Sequence, residues 1–139
     1  MYYHVWFPTK YRLPILVGYI RKQVLGTFCE CIERHKYKVL EYNADTDHMH
    51  LLIEASDKTE LFSIMRTLKS VSAKEVFLWM ETPHFRVGNN IFIDQYYRRK
   101  PVVGKRHFWA RRYNWKIVPY HKLGKVRKYI INNPIKIKD

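Results

Sequence analysis

The segment Asp47-His48-Met49-His50-Leu51-Leu52-Ile53 constrains the fold more than any other part of the chain. Its apolar run is short and reads as a buried strand. Side chains alternate across a strand, so His48 and His50 share one face and Met49 takes the other. Two neutral imidazoles side by side form a ready chelate for a divalent metal. Two such histidines can equally be core or surface residues with ordinary hydrogen bonds, so the surrounding sequence has to decide.

The elements on either side fall into an alternating order. Residues 2–8 suit a strand ended by Pro8, followed by the basic turn Lys10-Tyr11-Arg12. From about Val17 to Lys36, Ile20, Val24, Leu25, Phe28, Cys31 and Ile32 recur at helical spacing. Tyr37–Tyr42 suits a second strand, and the polar turn Asn43–Asp47 joins it to the histidine strand as a hairpin. Thr59 is the expected cap of a second helix reaching about Met80, with Glu60 in its first turn and Leu61, Ile64, Met65, Leu68, Val71 and Val76 as its stripe. Residues 82–105 read as loop, punctuated by Pro83, Gly88, Pro101 and Gly104. A strand is expected near Tyr113–Val118 and a last helix from about Leu123 to Asn132, stopped by Pro134. The string β-α-β-β-α-β-α fits an α+β sandwich of the ferredoxin-like type in a single domain, residues 1–139, with the histidine strand central and one face of it open.

Charge is concentrated at one end. Residues 98–139 hold 14 of the 26 Lys/Arg and one of the 12 acidic residues. Such an excess is an electrostatic footprint for a polyanion. Phe108, Trp109, Tyr113, Trp115 and Tyr120 are interleaved with it, and cations for phosphates with rings for unstacked bases suit single-stranded nucleic acid. The candidate phosphate contacts are Lys10, Arg12, Lys69, Arg98 and Arg99, then Lys105, Arg106, Arg111, Arg112, Lys125 and Lys128. No apolar run approaches the roughly 20 residues of a membrane span, and the N-terminus lacks the form of a secretory signal. Cys29 and Cys31 match neither a zinc pattern nor an easy disulfide, so they read as reduced packing residues of a cytoplasmic protein.

Tyr129 is the candidate nucleophile. On a helix it shares a face with residues 125, 132 and 133, while Val126, Ile130 and Ile131 are expected to face the core. That leaves its phenol partly exposed among Lys125, Arg127 and Lys128, a setting that favours the phenolate. A tyrosine that attacks a phosphodiester conserves the cleaved bond in a phosphotyrosine for later rejoining. A divalent ion on His48 and His50 would align the phosphate and offset its charge. It needs a further protein oxygen, which the Asn133 amide, one turn beyond Tyr129, can supply. His84, His107 and His121 read as structural or phosphate-contacting.

These residues resemble the small single-tyrosine transposases of the HUH nuclease superfamily. The likeness rests on Tyr3-His4-Val5-Trp6-Phe7 with Thr9-Lys10-Tyr11-Arg12, on the 47–53 block, on Leu68-Lys69-Ser70-Val71-Ser72-Ala73-Lys74, on Phe108-Trp109-Ala110-Arg111-Arg112-Tyr113, and on Val126-Arg127-Lys128-Tyr129-Ile130, in that order. It implies a βαββαβ domain with an added C-terminal helix and a homodimer whose tyrosine helix can serve the other subunit's histidines. It also implies Mg²⁺ or Mn²⁺ as the cofactor. The implied activity is cleavage of single-stranded DNA beside hairpin ends through a 5′-phosphotyrosine. His48 and His50 fall on the metal-binding histidines and Tyr129 on the nucleophile. The usual third ligand, a glutamine one turn after the tyrosine, is here Asn133, one methylene shorter and directly before Pro134, where a residue avoids the helical region.

The alternative is a non-catalytic basic module that holds hairpin DNA or RNA. A related enzyme reading is a domesticated transposase acting on dispersed palindromes.

Overall fold

The computed structural model describes residues 1–80 and 107–136, with backbone alone for Met80 and for 133–136. Among these, the elements run β1 (Tyr2–Pro8), α1 (Gly18–His35), β2 (Lys38–Ala44), β3 (His48–Glu54), α2 (Lys58–Met80), β4 (Asn114–Val118) and α3 (Leu123–Lys136). The strands form one antiparallel sheet in the order β2-β3-β1-β4. This is the ferredoxin-like arrangement anticipated from the sequence, and the histidine strand β3 lies in its interior. The loop expected at 82–105, together with His84, Arg98, Arg99, Lys105 and Arg106, lies outside the described residues.

Strand alternation divides the side chains between two layers. Tyr3, Val5 and Phe7 of β1 and Met49, Leu51 and Ile53 of β3 meet Ile20, Val24 and Phe28 of α1 and Leu61, Met65 and Leu68 of α2 in the main core. The opposite face carries a smaller apolar cluster of Leu52, Val118 and Ile130 under α3. The histidine face, expected open from the sequence, is partly covered by α3: His50 is buried, and His48 is half-buried at a cleft.

Several boundaries differ from the sequence reading for local reasons. The cap of α2 is Asp57, not Thr59, because its Oδ1 accepts the Glu60 N–H at 2.9 Å. Ser56 Oγ donates to Glu60 Oε2 across the same turn at 2.9 Å. On α3, Val126 and Ile130 pack inward, but Ile131 is half exposed. Phe108 and Trp109, expected as stacking platforms for bases, belong to the main core, where the Trp109 Nε1–H donates to Ser72 Oγ at 2.8 Å.

The helix also does not stop before Pro134: α3 continues to Lys136, so Asn133 is helical. A proline inside a helix supplies no N–H to the carbonyl four residues back, here that of Ile130. Asn43 replaces the missing donor, its Nδ2 donating to the carbonyls of Ile130 and Ile131 at 3.1 Å each. Asn43 Oδ1 accepts from Arg21 Nη2 at 2.6 Å and from the Ala44 N–H at 2.9 Å, which fixes the amide's orientation. A register shift between Val39 and Glu41 puts Asn43, not Tyr42, opposite His50. The tyrosine helix is thus fastened to the sheet beside the histidine strand.

Candidate active site

The antiparallel register of β1 and β3 sets Trp6 opposite His50 and His4 opposite Leu52. His4, Trp6, His48 and His50 consequently line one cleft of about 570 Å³, closed by Lys116, Lys122, Lys125, Val126 and Tyr129. The sequence-predicted pair and the sequence-predicted tyrosine meet here within one chain. The rings of His48 and His50 are 4.8 Å apart between centroids, and the Tyr129 ring stands edge-on to His50 at 5.5 Å. Tyr129 also meets His4 edge-on at 6.0 Å.

Each metal-candidate histidine is held by its Nδ1. The His48 Nδ1 lies 2.7 Å from Asp47 Oδ1, which as a carboxylate can only accept, so the ring nitrogen donates. His48 Nε2 lies 3.6 Å from Asp45 Oδ2, beyond hydrogen-bond reach. The His50 Nδ1 lies 3.0 Å from Nε2 of His4. Among the described residues, the buried His50 Nε2 and His4 Nδ1 have no hydrogen-bond partner.

Burial, and then repulsion from His48 and His4, lowers the His50 pKa to about 3. Burial, and then Lys116, lowers that of His4 to about 4. Both rings are neutral at neutral pH, the state a metal requires of a histidine. The donor chemistry therefore fits a divalent cation at two imidazole nitrogens. Among the described residues no cluster of three or more His, Cys, Asp or Glu side chains is placed to hold a metal.

The predicted phosphate contacts separate in space. Lys125 lines the cleft, Lys128 is exposed on α3, and Arg12 reaches Asp47 Oδ2 at 3.6 Å, next to His48. Lys10 is half-buried in the same turn, its ammonium 5.4 Å from the Tyr11 ring. Lys69 sits on the other side of the sheet, where its Nζ donates to the carbonyls of Ala110 at 2.8 Å and Arg111 at 3.2 Å. Burial lowers its pKa to about 8. Arg111 lines a second groove there, of about 560 Å³, with Arg66, Lys69, Phe62 and Tyr113, and Arg112 is exposed. Of the five aromatics read as base platforms, Tyr113 and Trp115 are half-buried and Tyr120 is the freely exposed ring.

Sequence reasoning missed Lys116, Lys122 and His4. The signal for His4 was present: it alternates with the core residues Tyr3 and Val5, which puts a polar side chain on the histidine face.

The fold and the cleft together define a small α+β domain that brings a tyrosine and a histidine pair into one basic pocket. The family described as "Transposase IS200 like" matches residues 1–133, and the chain belongs to it. The chain is 27% identical over 111 residues to the transposase for insertion sequence element IS200 of Salmonella typhimurium, covering 80% of this chain and 62% of that protein. It is 26% identical over 76 residues to the ISDra2 transposase TnpA of Deinococcus radiodurans, covering 55% and 54%. The chain thus spans about three fifths or less of the length of these curated relatives.

In fold it is similar to a putative transposase from Deinococcus radiodurans, at a TM-score of 0.61 and 20% identity over 96% of this chain and 90% of that one. It is also similar to a REP-associated tyrosine transposase bound to a REP hairpin, at a TM-score of 0.59 and 13% identity over 98% and 67%.

Proposed function

We propose that this protein is a transposase that cleaves and rejoins single-stranded DNA next to hairpin ends, with Tyr129 as the nucleophile. The observation that carries the reading is the convergence of Tyr129, His48 and His50 in one cleft ringed by Lys116, Lys122 and Lys125. The lysines supply attraction for a phosphodiester, and the tyrosine supplies an oxygen nucleophile beside it. In the cleavage step the Tyr129 Oη–P bond forms and the P–O3′ bond breaks. The phenolic proton goes to solvent, and the departing 3′ oxygen takes up a proton. The 5′ end remains as a phosphotyrosine. Rejoining is the reverse attack by a free 3′ hydroxyl, so no nucleotide cofactor is needed.

His48 and His50 would hold Mg²⁺ or Mn²⁺, with the Asn133 side chain, or water, completing the set. When bound, the cation supplies charge neutralisation at the phosphoryl oxygens. The chain's own contribution is positional. Asp47 fixes the His48 ring, His50 is held buried in the sheet, and Asn43 fastens the tyrosine helix alongside. Dimeric assembly is part of the same proposal and is read by light scattering after gel filtration, where a monomer mass contradicts it.

The test uses end-labelled single-stranded DNA carrying a hairpin and flank, with and without Mn²⁺. Wild-type protein is expected to cleave only with metal. Tyr129→Phe is expected to bind the DNA and not cut it, and His48→Ala to lose the metal-dependent cut. Cleavage retained in Tyr129→Phe removes the nucleophile assignment. Tight, salt-sensitive hairpin binding without cleavage by wild type favours a binding module.

A further inference from the structure

We propose that His4 is a positioning residue that sets the tautomer and ring orientation of His50. The inference deepens the metal reading of the site and rests on it. His4 lies on β1 opposite Leu52, one position diagonal from His50 on the same face of the sheet. Its Nε2 is 3.0 Å from His50 Nδ1, and the two rings stack at 26°. Both residues are buried, at 6% and 4% exposure, which holds the contact in place.

One proton lies between the two nitrogens, and its owner decides what His50 can do. If His4 donates, His50 carries its own proton on Nε2 and that nitrogen has no lone pair for a metal. If His50 donates from Nδ1, its Nε2 keeps the lone pair, as a nitrogen ligand must. The second arrangement matches the neighbouring histidine, whose Nδ1–H donates to Asp47 and whose Nε2 lies 3.6 Å from Asp45 Oδ2, beyond hydrogen-bond reach. Asp47 and His4 thus play equivalent parts, each engaging the far nitrogen of one ligand.

Packing alone does not account for an imidazole at this position. His4 Nδ1 is buried without a hydrogen-bond partner among the described residues. An apolar side chain there would bury no orphaned nitrogen. The cost is rationalised if the ring's task is to receive the His50 proton.

The first test needs no variant. Nitrogen-15 spectra of the wild-type imidazoles at neutral pH assign each tautomer, and the expected result is a protonated Nδ1 and a bare Nε2 on His50. A protonated Nε2 on His50 overturns the proposal. The second test is Mn²⁺ affinity by electron paramagnetic resonance, without DNA. His4→Leu is expected to weaken binding about tenfold, the size of effect seen when a ligand histidine loses its outer partner. His4→Gln, which keeps an acceptor oxygen, is expected to restore most of it.

Wild-type affinity in a folded His4→Leu protein overturns the positioning role. His48→Ala separates the two readings. If it leaves Mn²⁺ binding intact, the metal assignment itself falls, whereas affinity lost in His48→Ala but kept in His4→Leu condemns only the role of His4.

Discussion

Beneath α1 and α2 the sheet presents Tyr3, Val5, Phe7, Met49, Leu51 and Ile53, each at 1% exposure or less. The same two strands present His4, Trp6, His48, His50 and Leu52 to α3. Period-two alternation lets one pair of strands serve both layers without compromise. The first face is apolar and closely filled, and the energy of burial resides there. The second has a small apolar cluster at one end and a cleft of imidazoles and lysines at the other. One face of a sheet can stay polar and partly unsatisfied because the opposite face of the same strands carries the stability.

Substitutions that treat the two faces alike in size should therefore have unlike effects. The largest stability loss is expected from Leu51→Ala, about 2–5 kcal/mol, because it opens a cavity in the main core. Urea denaturation measures it, and a loss below 1 kcal/mol would deny that face its role. Asn43→Ala comes next, at about 1–3 kcal/mol, since it leaves two helix carbonyls without their side-chain donor. It should also lower cleavage more than it lowers DNA binding, because the phenol rides on the loosened helix. Equal losses in both would show that Asn43 serves the fold in general and not the placement of Tyr129.

The smallest effect expected is a pH dependence on the core side. Burial lowers Lys69 to about 8 from its ordinary 10.5. Between those values the unfolded chain holds the proton more firmly than the folded one. The contribution of Lys69 to stability therefore rises with pH across that window and is least below pH 8. The stability difference between wild type and Lys69→Met should shift in favour of wild type from pH 8 to 10. A constant difference in denaturation midpoints would contradict the shift.

Much of this arrangement was legible in the sequence. Strand alternation alone set His48 and His50 together, and helical spacing left Tyr129 off the apolar stripe of its helix. What stayed hidden depends on pairing between distant segments. His4 becomes a neighbour of His50 only through the register of β1 on β3. Pro134 reads as a helix stop unless the amide of Asn43, 91 positions earlier, is known to reach the freed carbonyl. Phe108 and Trp109 sit among cations in sequence, yet their rings close the core between α1 and α2, a placement that composition does not disclose. The cap of α2 was misplaced because Thr59 and Asp57 are both good caps, and the choice follows from where the strand before it ends.

In the proposed reaction the Tyr129 oxygen forms the covalent bond to DNA. Its most direct measurement is peptide mass mapping after reaction with a hairpin-bearing single strand and Mn²⁺. The predicted result is a DNA 5′-phosphate attached to the peptide containing Tyr129, absent from Tyr129→Phe and absent with duplex DNA. A phosphate on any other residue, or cleavage with no attached phosphate, would contradict it.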